Sequence, residues 1–176
     1  MESPIIFKDL IKDVVTLMTT SAPVYYYGHL VDITGSLSIK TRAVSKKYPA
    51  VILPLDIIEE FDGVSSNWAN VTFSIFLVTR TKKEYTAEQR FDNVFKTYLY
   101  PMYVEFKEAM LASGYFSGLK HVDKLPHTKI DRLFWGRSAA FGNEANMLND
   151  YIDAIELKDI KVTVKPDAYK CKSYIK

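Results

Sequence analysis

Residues 86–114, TAEQRFDNVFKTYLYPMYVEFKEAMLASG, hold the longest helical pattern in the chain. Thr86 followed three positions later by Gln89 is a capping-box pattern, which marks a helix start. Phe91, Val94, Phe95, Tyr98, Leu99, Met102, Tyr103, Phe106, Met110 and Leu111 then recur at three- and four-residue steps up to Gly114. Pro101 lies inside that stripe. It lacks a backbone donor and is expected to kink the helix or split it in two.

Strand patterns flank this helix. Upstream, Val71 to Arg80 is a long apolar strand with β-branched residues on both faces, preceded by turn residues at Asp62-Gly63 and Ser65-Ser66-Asn67. Tyr48-Pro-Ala-Val-Ile-Leu-Pro54 is a short apolar run closed by proline at both ends, read as a buried strand. Downstream, DYIDAIELKDIKVTVK (150–165) alternates, but the phase slips by one residue at Lys158-Asp159. That slip predicts a bulged strand or a tight hairpin. Residues 115–126 look irregular, and 128–135 fit no single period.

At the N-terminus, Ser3-Pro4 reads as a helix start. Ile6, Phe7, Leu10, Ile11, Val14, Val15 and Met18 form one apolar face. Val24 to Ile33, rich in Tyr, Val and Ile, predicts a strand with a bulge or close approach at Gly28. Residues 34–47 combine Thr34-Gly35-Ser36 turn chemistry with the alternation of Leu37 and Ile39, which predicts an extended arm or hairpin excursion. The expected fold is α+β: an antiparallel or mixed sheet packed against an N-terminal helix and a long Pro-kinked helix. One domain over residues 1–165 and a basic tail at 166–176 complete the expected organisation.

A chain of 176 residues that is 48% hydrophobic and 14% aromatic can bury one proper core. It is too apolar for a disordered chain, and no apolar run approaches the ~18 residues that span a bilayer. MESPIIFKDLIKD has no signal-peptide pattern, so the chain is expected to be soluble and made in a cytoplasm. The lone Cys171 excludes an internal disulfide framework. The net charge of +2 is uneven. Lys40, Arg42, Lys46 and Lys47 form one basic cluster, and Lys165, Lys170, Lys172 and Lys176 form another. A near-neutral body with basic extensions suits docking on acidic protein surfaces, or lying close to nucleic acid without reading it.

The sequence has no G-x-S-x-G, no Gly-rich phosphate loop and no H-E-x-x-H. His29, His121 and His127 have no ligand partners at metal spacing, so no metal, cofactor or catalytic residue is assigned. Two Trp, twelve Tyr and ten Phe are more than one small core needs. Such residues concentrate at the dry centres of protein interfaces, although a well-filled core with Tyr hydroxyls reaching water also accounts for them. Candidate interface residues are therefore Trp68, Tyr100 and Tyr103, with Lys40, Arg42, Lys46 and Lys47 from the arm. The tail adds Lys165, Lys170 and Lys172.

Six segments, in order, resemble one family: Ile6-Phe-Lys-Asp-Leu10, Tyr25–Leu30, Tyr48-Pro-Ala-Val-Ile-Leu53, Tyr98-Leu-Tyr-Pro-Met-Tyr103, Asp131-Arg-Leu-Phe-Trp-Gly136 and Asp150–Leu157. The family is the tail-completion or tail-terminator-like virion proteins of phages and prophages of Bacteroidetes hosts, including the neck-ring proteins of crAss-like phages. The resemblance implies a structural head-tail connector component without enzymatic activity. Copies would form a ring of roughly six or twelve subunits in the neck, located in the virion. The ring would contact portal, adaptor or tail-ring proteins, and the genome would pass through it without specific binding during ejection. No membrane partner is implied. The basic segments and the Tyr25-Tyr26-Tyr27 run keep a second class open, a phage nucleic-acid-binding accessory protein.

Overall fold

The computed structural model describes residues 7–39, 47–61, 69–119, 125–133, 150–165 and 168. Helix α1 spans Phe7–Leu17 and buries Phe7, Leu10, Ile11, Val14 and Val15, the face its spacing predicts. Strands β1 (Val24–Gly28), β2 (Ala50–Pro54), β3 (Ile58–Phe61), β4 (Ala69–Arg80), β5 (Phe116–Ser117), β6 (His127–Ile130) and β7 (Ile152–Val164) form one mixed sheet. The order across it is β1-β2-β4-β7-β5, with β3 beside β4 and β6 beside β7. Among the described residues only β1 and β2 pair in parallel, and the other pairs are antiparallel. The fold is α+β with a mixed sheet.

The bulge read from the alternation is present. Leu157 pairs with Ile75 and Ile160 with Phe73, so Lys158 and Asp159 together face Ser74. Asp159 takes the left-handed φ of 52° that this requires, and its N–H donates to Ser74 Oγ at 3.2 Å. β7 thus remains one strand, and the hairpin alternative falls away.

Residues 29–39 overturn the sequence expectation. β1 stops at Gly28, whose φ is 140°, and Leu30–Ile39 is a helix, α2. Neither the strand to Ile33 nor an extended arm beginning at residue 34 survives; residues 40–46 lie outside the described residues. Local preference lost to burial. As a helix the segment places Ile33 and Leu37, four apart, against Tyr26, Ile52, Phe76 and Ala154 on the sheet. Lys47 fixes the end of this helix, donating from Nζ to the Leu37 carbonyl at 2.6 Å and pairing with Asp150 at 3.4 Å.

The long helix is continuous over residues 87–112. It comprises α3 (Ala87–Arg90), a π-helical stretch (Phe91–Leu99) and α4 (Tyr100–Ala112). The Thr86–Gln89 capping box is formed from both sides. Of the two expected outcomes at Pro101, a kink or a split, the split does not occur. Pro101 lies just past the π-helical stretch, where the chain is wound to i→i+5 bonds such as Tyr100 N–H to Phe95 O. This helix and α1 cover one sheet face around Phe73, Phe106 and Leu157, whereas α2 covers part of the other. Ala168 packs into the first core, so packed chain continues beyond Lys165, where the sequence reading begins the tail.

α1 is tied to the long helix through Glu105, which accepts from Thr20 N at 2.6 Å and Ser21 N at 2.9 Å. Burial alone would push the Glu105 carboxyl up, but hydrogen bonds from Ser21 and Thr20 outweigh it and hold the group below its ordinary 4.5. A carboxyl lowered by folding stabilises fully above its ordinary value and loses that contribution as pH falls through the folded value. Glu105→Gln is expected to cost about 1 kcal/mol near neutral pH, the low end for an exposed charge-assisted contact. Urea midpoints of parent and variant should converge as the pH falls through the lowered Glu105 value; a gap independent of pH would contradict this.

Candidate assembly interface

β6 and the outer side of the long helix meet along one margin of the molecule. His127 and Lys129 of β6 face the helix, while Ile130 turns to the α2 side and joins the second core. The Lys129 ammonium lies 5.0 Å from the Phe91 ring centre and 5.1 Å from that of Tyr100, satisfied by two aromatic faces. The His127 ring packs 4.8 Å from Tyr103 and 6.1 Å from Tyr100. Its Nδ1 lies 3.1 Å from the Leu125 carbonyl, a contact that requires the proton on Nδ1.

A buried ionic node holds this margin to the sheet. Arg90 is 2% exposed and Asp153 0% exposed. Arg90 Nη1 donates to Asp153 Oδ1 at 3.0 Å and Thr81 Oγ1 at 3.1 Å, and pairs with Asp131 Oδ1 at 3.1 Å. Its Nη2 donates to the Lys82 carbonyl at 3.0 Å. Asp153 Oδ1 also accepts the Arg132 N–H at 3.0 Å. Burial pushes the Asp153 carboxyl above its ordinary value, opposed by the Arg132 and Thr81 hydrogen bonds and by the Arg90 charge. Helix start, the end of β4, the β6 end and β7 thereby converge on one guanidinium.

Of the sequence-derived interface residues, Tyr100 is half-buried at this margin, flanking the core. Tyr103 is buried, with its hydroxyl donating to the Leu125 carbonyl at 3.2 Å, so it is a core residue and no contact for a partner. Lys47 is held inside the subunit by Leu37 and Asp150. Lys165 is half-buried, and its backbone N–H donates to the Tyr115 carbonyl at 2.9 Å. Trp68, Lys40, Arg42, Lys46, Lys170 and Lys172 lie outside the described residues.

Two residues drawn onto the buried stripe stand in water instead. Phe91 is 45% exposed and Tyr98 58%. A π turn closes over one more residue than an α turn, so the buried face steps from Val94 to Leu99 and passes Tyr98 by. A proline preceded by an aromatic-rich helical run was the one available sequence signal.

A cleft of about 540 Å³ opens beside Ile58, Thr72, Ser74 and Asp159. Among the described residues no three His, Cys, Asp or Glu side chains gather as a metal site would need, and no helix is long and apolar enough to cross a membrane. No family model and no curated protein matches this chain.

Proposed function

We propose that this chain is a structural virion protein of the phage neck. Copies form a closed ring between portal or adaptor proteins and the tail, and the ring is the conduit through which the genome passes. Large apolar side chains left in water on the long helix carry this reading: Phe91 and Tyr98 are accompanied by Val104, 45% exposed. Rings of that size in solvent favour contact with a second surface, and an identical copy supplies one at no sequence cost. The ordered resemblance to tail-completion and tail-terminator-like proteins supports the same reading.

Closure by head-to-tail contacts joins one face of a subunit to a different face of the next. Each contact should bury well above ~1,000 Å² to outlast genome packaging. Electron microscopy of the purified full chain should show closed rings, and labelled chain in intact particles should locate to the neck. Particles that lack the chain altogether, or carry it elsewhere, would overturn the proposal.

A further inference from the structure

β1 and β6 lie at opposite margins of one sheet, and among the described residues neither has a strand on its outer side. Natural sheets usually protect such edges with charge, proline or a bulge. β1, Val24–Gly28, carries neither charge nor proline and pairs with β2 in unbroken register. β6 has one lysine, but the Lys129 ammonium is folded over Phe91 and Tyr100. Among the described residues both edges are therefore open to main-chain pairing.

Their directions fit each other. β1 runs with β2, β2 against β4, β4 against β7 and β7 against β6. β1 and β6 of one chain consequently run in opposite directions. Copies related by rotation about an axis along the strands would bring β6 of one against β1 of the next as an antiparallel pair, the geometry with straight ladder bonds. The side chains match in the same way. Tyr27 shares the sheet face of Tyr25, which packs on the first core, and is 38% exposed with the Lys8 ammonium 5.6 Å from its ring. Phe91 stands on that same face at the β6 margin. Edge pairing would therefore place these exposed rings on one side of a shared sheet, where both lose water.

We infer that β6 of one copy adds to β1 of the next, so that a single sheet continues from subunit to subunit. The inference rests on the ring reading and names the surfaces that make the ring. Hydrogen exchange of the full chain, compared between its dissociated and assembled forms, tests it. The outward-pointing amides within residues 25–28 and 128–130 should exchange at least about tenfold more slowly on assembly in both strands. Assembly with exchange unchanged in both strands would overturn the edge pairing and leave the ring standing. Protection of one strand without the other, as in a two-fold pair of like edges, would also overturn it. A chain that never assembles would remove both readings.

Discussion

Asp153→Ala is expected to lower the unfolding free energy by about 3–5 kcal/mol, the range for removing one partner of a buried ion pair. The carboxylate is fully buried and faces a guanidinium 2% exposed. Without it, Arg90 keeps Asp131, itself half in water, as its counter-charge, and the Arg132 N–H loses its acceptor. The cost arises from the charge left behind rather than from the pair's net worth, because burial already works against ionised Asp153. Replacing both members, as Arg90→Met with Asp153→Leu, should therefore recover much of the loss. Urea unfolding of the two variants decides the matter. An unchanged midpoint for Asp153→Ala would mean that this node does not anchor the helix start.

Phe106→Ala is expected to cost about 3–5 kcal/mol through the cavity left in a core that cannot collapse around it. Phe106 is 0% exposed and packs in the cluster shared by α1, the long helix and the sheet. For a chain of this length the melting temperature should fall by about 6–20 °C. Tyr98→Ala on the same helix supplies the contrast, since 58% exposure predicts a change within about 0.5 kcal/mol. Equal melting shifts for the two would contradict the π-helical offset that puts Tyr98 in water.

Much of the architecture was readable because its signals are local. The capping box at Thr86 and Gln89 and the slip at Lys158-Asp159 each sit within a few residues, and each formed as read. The α2 segment misled because Val31, Ile33 and Thr34 prefer strands in isolation, whereas its helical form follows from burying Ile33 and Leu37 against distant strands. The Arg90–Asp153 node joins residues 63 positions apart, and no spacing rule reaches that far. Tyr98 left the expected stripe for a subtler reason: a change of helical pitch before Pro101 carries the buried face from Val94 to Leu99, while Tyr103 stays on it.

The central claim is that exposed rings of one copy become dry against another. Light scattering of the purified full chain over a wide concentration range tests it most directly. The account predicts a discrete mass several times the 20.2 kDa of one chain, which falls back towards that value in Phe91→Asp. A mass of 20.2 kDa at every concentration, unaffected by that substitution, would contradict it.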